Sequence, residues 1–293
     1  MPKEMTHILI AQDVVKQLKG SGQQLLALVL EKNFSAFYLG AIIPDAFFYD
    51  VISFRKIRQD CLQISRALHL KETLKNDQKA VSFFDDIGAE PHVWTSALAF
   101  AAGIVTHTVS DRIIHGVIDH YTTSWGERGS IAIASHRQLE TLVDMVLIQQ
   151  SERHPRDFRL DSLTNVDQPT RDCLFRFYLG HLIQDNNTLP FCTLKALKRA
   201  HAQQHLFLKL FTFEPLYHII NLSNKLVASC LQAWSTLFYP DRVGTQTFPI
   251  LHKLDLNALT DGHSFTGTLA SLVDEMITEA VRQIKVGVRR LAI

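Results

Sequence analysis

Fourteen histidines stand among 293 residues, and three ionisable groups fall at a spacing that invites chemistry: His107, Asp111 and His115 recur every fourth residue. On a helix, positions i, i+4 and i+8 project from nearly one face over about two turns. The surrounding stretch, 93–121, is strongly apolar, so a polar row is expected on the inward face of a hydrophobic helix. Burying imidazoles and a carboxylate without partners is expensive. Coordination of a metal ion is one way to satisfy them, and this donor set suits zinc. His136, Glu140 and Asp144 repeat the spacing on a second predicted helix. The same residues admit a plainer reading. His107 would then be a hydrogen-bonded core histidine, Asp111 a surface partner of Arg112, and His136, Arg137 and Glu140 a solvated face.

The elements that must position these rows are helical. Apolar residues at helical spacing predict helices over 11–30, 51–74, 93–121, 130–150, 168–184, 194–208, 215–238 and 267–291. Alternating strand patterns and hairpin turns are nearly absent, which predicts an all-α multi-helix bundle; the two polar rows, if they face each other, would set a metal site between helices. Irregular segments are expected at 33–50, 151–167 and 238–265. The expected organisation is one domain, 1–293, with a metal-binding helical half, 1–150, and a second half, 151–293, that shapes the site.

Composition narrows the class. Hydrophobic residues make up 46% and charged residues 20% of the chain, and thirty basic against twenty-nine acidic residues leave a net charge of +1. Disorder and collagen are excluded, and without a basic field no nucleic-acid partner is expected. Cys61, Cys173, Cys192 and Cys230 are too few and too scattered for a disulfide framework. The first residues lack the apolar run of a secretory leader, so a cytoplasmic location is expected. The most apolar window, 97–105, is shorter than a membrane span, so no transmembrane segment is predicted. Neither a glycine-rich phosphate loop nor a G-x-S-x-G elbow occurs.

Five separated elements occur in one order: Thr6-His7-Ile8-Leu9-Ile10-Ala11; Gly40-Ala41-Ile42-Ile43-Pro44-Asp45; Ala67-Leu68-His69; Ala102-Gly103 leading to His107, Asp111 and His115; and His136 with Glu140. Together they resemble the zinc-dependent phospholipase C family, which is related to glycosylphosphatidylinositol-specific phospholipase D and to the single-strand-specific zinc nucleases. The resemblance implies up to three zinc ions. Asp45, His69, His107 and Asp111 would hold one, His115, His136 and Glu140 a second, and His7 with a bridging Asp111 part of a third. The secreted phospholipases C complete that third site with an amino-terminal tryptophan, which has no counterpart here. They also place the histidine after Asp111 a little further on, which leaves His120 as an alternative to His115. Asp144 continues the second row and is a candidate hydrogen-bond partner behind a histidine ligand.

The expected chemistry is hydrolysis of a phosphate ester by a metal-activated water, with Asp45 as the proton acceptor. A phospholipid or another phosphodiester is the expected substrate. The apolar run 206–213 with Leu216 and Tyr217 is read either as a peripheral membrane contact or as a core helix. Three other readings compete: a metal-stabilised helical scaffold or binding protein without catalysis, a nuclease-like phosphoesterase on the same metals, and a metal-free helical interaction module.

Overall fold

The computed structural model describes residues 4–53, 56–58, 61, 63–64, 81–85, 87, 93–124, 130–185, 193–226, 235–240, 242–244 and 267–291. In chain order, α1 (Glu4–Gly20), α2 (Gln24–Lys32) and α3 (Phe34–Ile42) lead into a 3-10 helix, Ile43–Tyr49, and a short antiparallel ribbon, β1 (Val51–Ser53) and β2 (Lys56–Ile57). The long helices α4 (Trp94–Ser124) and α5 (Ser130–Gln150) follow, then a 3-10 turn at Pro155–Asp157 and α6 (Leu160–Leu163). The chain continues through α7 (Gln168–Asp185), α8 (Leu194–Phe211), α9 (Glu214–Leu226) and α10 (Leu269–Arg290). The fold is all-α, with the ribbon as the only strands among the described residues.

Three predicted boundaries change, each for a physical reason. The helix expected over 11–30 is two helices. Gly22 adopts φ +77°, and its N–H and that of Gln23 bond back to the carbonyls of Lys19 (3.1 Å) and Leu18 (2.9 Å), a Schellman stop that glycine permits. The irregular segment expected at 33–50 is helical. In α3 Ala36, Phe37, Leu39, Gly40, Ala41 and Ile42 are all buried, and a helix buried nearly all round carries no amphipathic period to read. The helix expected from residue 51 begins instead as β1, where Val51 and Ile52 are β-branched; most of the remainder to residue 74 lies outside the described residues.

The chain divides into two compact units, each drawn from three segments. The larger comprises residues 10–112, 160–207 and 276–293; the smaller comprises 1–9, 113–159 and 208–275. Within the larger unit, α3 and α4 meet backbone to backbone. A Cβ on Gly40 would stand 2.1 Å from the Phe100 carbonyl oxygen, and one on Gly103 would stand 2.1 Å from that of Phe37 and 2.7 Å from the Ala41 nitrogen. Behind the 3-10 helix, the fully buried Asp50 accepts from Arg199 Nε at 2.8 Å and from the Cys61 thiol at 2.9 Å. Burial opposes ionisation of Asp50, yet the Arg199 and Cys61 bonds prevail and hold its carboxyl below the usual range.

In the smaller unit the second half of the chain packs on α5. Thr141 donates to the Thr236 carbonyl at 2.6 Å, the Tyr239 N–H to the Phe211 carbonyl at 2.9 Å, and the rings of Phe211 and Phe238 meet edge to face. Helix α4 is long and apolar enough to cross a membrane, but 83% of its most apolar window is buried within the protein.

The glycine crossing makes a direct prediction. Gly103→Ala must force two backbones apart, so urea unfolding should show a loss of about 3 kcal/mol or more. Gly180→Ala, where an added Cβ meets nothing within 4 Å, should leave stability unchanged or slightly raised.

Candidate metal centre

In the larger unit the α3–α4 crossing places a main-chain acceptor beside a candidate side-chain ligand. His107 Nδ1 lies 2.9 Å from the Ala41 carbonyl oxygen. An oxygen only accepts, so Nδ1 carries the hydrogen and the neutral ring keeps its lone pair on Nε2. That nitrogen faces Asp45 Oδ1 at 3.5 Å. Asp45 is held in the 3-10 helix entered through Pro44, and it, His107 and Asp111 are all buried. A histidine whose second nitrogen donates to a backbone carbonyl is the arrangement metal-binding histidines adopt. The core-histidine reading of His107 is thus correct as far as its Nδ1 bond goes; the reading of Asp111 as a surface residue is not.

In the smaller unit His115, His136 and Glu140 each offer a ligand atom, all within 4.8 Å of one another. His136 Nε2 is 3.0 Å from Glu140 Oε1, and the rings of His115 and His136 stack at 5.4 Å. Glu140 is buried while both histidines are partly exposed, so the group opens to solvent on one side. Two imidazoles and a carboxylate at this separation fit zinc, with a coordination position left for water. Burial of Glu140 removes it from the solvated face that the plainer reading assumed. His120 instead packs edge-on against Tyr121 at 5.4 Å.

The remaining candidates and the other histidines fall as follows. His7 is fully buried on the second turn of α1. His69 lies outside the described residues, as do His92, His252 and His263. Asp144 is fully buried and accepts from the Thr6 N–H at 3.0 Å, from the Thr6 hydroxyl, and from Tyr239 Oη at 2.5 Å. It therefore caps the first turn of α1 from a distance, satisfying an N–H that has no partner within its own helix. His154 accepts from the Arg156 N–H and caps the 3-10 turn, and His218 is an exposed neighbour of Glu214.

The elements, the ligand geometry and the order of the motifs converge with one comparison: a family model described as zinc dependent phospholipase C matches residues 6–187. The chain belongs to this family. The match spans well over half of the 293 residues and includes every predicted ligand from His7 to Glu140. Among curated proteins and solved structures, none matches the chain. The family is zinc-dependent, and the described residues of this member include candidate metal-ligand groups.

Sequence reasoning missed Asp119, whose Oδ1 lies 3.7 Å from His136 Nδ1. Its signal was present, since Asp119 extends the row of His107, Asp111 and His115 by one more step of four. It also missed the Ala41 carbonyl and Tyr239, which no spacing rule announces.

His201 is buried and His205 half-buried in the larger unit. Their rings are 4.2 Å apart, Phe175 packs on His201, and His205 Nε2 meets Thr164 Oγ1 at 3.1 Å. Thr164 spends its hydrogen on the Leu160 carbonyl at 2.7 Å, so His205 is the donor. Burial, reinforced by His205 and Arg171, pushes His201 down to about 3. Burial and Arg171, opposed by Asp161, push His205 down to about 4.

Both folded-state values lie below the unfolded one near 6.5, so the pair leaves stability untouched above that pH. Below it, the unfolded chain takes up two protons that the folded chain refuses, and stability falls. Urea unfolding across pH 4–7 should show the wild-type minus His201→Phe difference dropping by about 1.4 kcal/mol per pH unit below pH 6. A difference that stays flat would contradict the buried pair.

Proposed function

We propose that the protein is a zinc-dependent phosphodiester hydrolase of the phospholipase C type, acting on a phospholipid or a related phosphodiester. The observation that carries the reading is the convergence of His115, His136 and Glu140 within 4.8 Å in a chain of this family. In the larger unit Asp45, His107 and Asp111, joined by His69, are the proposed ligands of another ion, and His7 is a proposed ligand of a third. Zinc in such a site supplies a Lewis acid and lowers the pKa of a coordinated water.

The chain's own residues do the rest. The Ala41 carbonyl fixes the His107 ring with Nε2 presented toward Asp45. The Asp45 carboxylate, buried beside that ring, is the proposed acceptor of the proton released as the water oxygen bonds to phosphorus and the ester P–O bond breaks. Phe213, Ile219 and Leu222 are exposed apolar side chains at and along α9, surface of the kind that favours a lipid substrate over a fully soluble one. Phe207, Leu208 and Phe211 of the apolar run 206–213 are buried while Leu206 and Phe213 are exposed, so the run divides between core and surface. A cytoplasmic location is part of the proposal, in keeping with four cysteines too few and too scattered for a disulfide framework.

Elemental analysis of protein purified without added metal, alongside turnover of a chromogenic phosphocholine diester, tests the reading. Two or three zinc ions per chain are expected, reduced in His107→Ala and in His136→Ala, with hydrolysis lost by at least a hundredfold in Asp45→Asn. Full zinc loading with no turnover on any phosphodiester would favour a metal-stabilised scaffold instead, and absence of zinc even after its addition would refute both.

A further inference from the structure

We propose that Asp119 is the positioning residue of His136, holding that ring in the tautomer and orientation that present Nε2 to a metal ion; this rests on the zinc reading above. The two nitrogens of His136 face two different carboxylates. Glu140 Oε1 lies 3.0 Å from Nε2, and Asp119 Oδ1 lies 3.7 Å from Nδ1. A neutral imidazole has one N–H and one lone pair. With Nε2 committed to a metal, the hydrogen resides on Nδ1 and points at Asp119. A carboxylate behind a ligand histidine is a recurrent means of fixing its ring, and removing such a partner weakens metal binding roughly 10–100-fold.

The placement follows from the helix that carries it. Asp119 is one turn beyond His115 on α4, so ligand and positioning carboxylate share a face. The 3.7 Å separation is an ion-pair distance, longer than a hydrogen bond, and a small rotation of either side chain closes it. Asp119 does not compete with Glu140 for the ion, because the two ring nitrogens direct their bonds apart in the plane of the ring. An ordinary surface ion pair is the alternative. With both side chains about a quarter to a third exposed, such a pair contributes little to stability, so affinity for zinc and stability of the protein separate the two roles.

The test is competition of the full-length, metal-stripped chain against a chromogenic chelator for zinc, with cobalt(II) absorption as a second readout. Asp119→Ala should weaken one zinc ion by roughly 10–100-fold. Its cobalt spectrum should keep the wild-type band shape and intensity at saturation, and its metal-free melting temperature should be unchanged. Asp119→Asn, whose amide oxygen still accepts from Nδ1–H, should fall between Asp119→Ala and wild type, and it serves equally if the alanine variant misfolds. Glu140→Ala is the control and should lose that ion. Unchanged zinc affinity in both Asp119 variants while Glu140→Ala loses its ion would overturn the role of Asp119 alone. An altered cobalt spectrum in Asp119→Ala would make Asp119 a ligand and also overturn it. Retention of all zinc by Glu140→Ala would instead remove the metal reading of this unit on which the proposal stands.

Discussion

The approach of α3 and α4 through Gly40 and Gly103 is the constraint on which the larger unit's ligands depend. Each glycine lies where any Cβ would intrude on the backbone of the other helix. Contact that close brings the Ala41 carbonyl against the His107 ring, and the carbonyl decides which ring nitrogen carries the hydrogen. Asp45 follows α3 after half a turn of 3-10 helix begun at Ile43 and Pro44, so the same crossing carries its carboxylate to the other nitrogen of that ring. A packing requirement between two apolar helices thereby becomes a statement about lone pairs.

A single helix carries three of the candidate ligands, His107, Asp111 and His115. Helix α4 presents His107, Asp111, His115 and Asp119 at steps of four residues, and it runs without a break from Trp94 to Ser124. Its apolar surface is buried, which anchors the row against the rotations that free side chains on a surface helix would undergo. Polar groups inside so apolar an environment are costly unless matched. Here the matches are a carbonyl and a carboxylate for His107, and a partner imidazole and two carboxylates for His136.

Asp144 illustrates a different use of a buried carboxylate. It gathers the start of α1 and the hydroxyl of Tyr239 onto α5, and hydrogen bonds to an ionised group are the stronger kind. The contact joins residues from the family-matched part of the chain with Tyr239, which lies beyond residue 187. The second half of the sequence carries no motif of its own, yet it provides a structural partner for the region that does. His201 and His205 show the converse, histidines whose burial favours the neutral ring.

The sequence by itself determined the class of the fold, most of the long helices and the two rows of ligand-type residues. These are local properties: apolar periodicity and steps of four residues repeat within a single element and need no knowledge of its neighbours. The membership of a zinc-dependent family was legible for the same reason, since donor type and spacing are written along α4 and α5. Tertiary structure alone decided what stands behind each ligand. Ala41 and His107 are separated by 66 residues, Thr6 and Asp144 by 138, and Asp144 and Tyr239 by 95. It also decided that α3 is a helix, because burial of six of its nine residues blurs the period that would have revealed it, and that His201 is buried. Which face of a helix meets which carbonyl depends on how helices pack, and packing is a property of the folded chain as a whole.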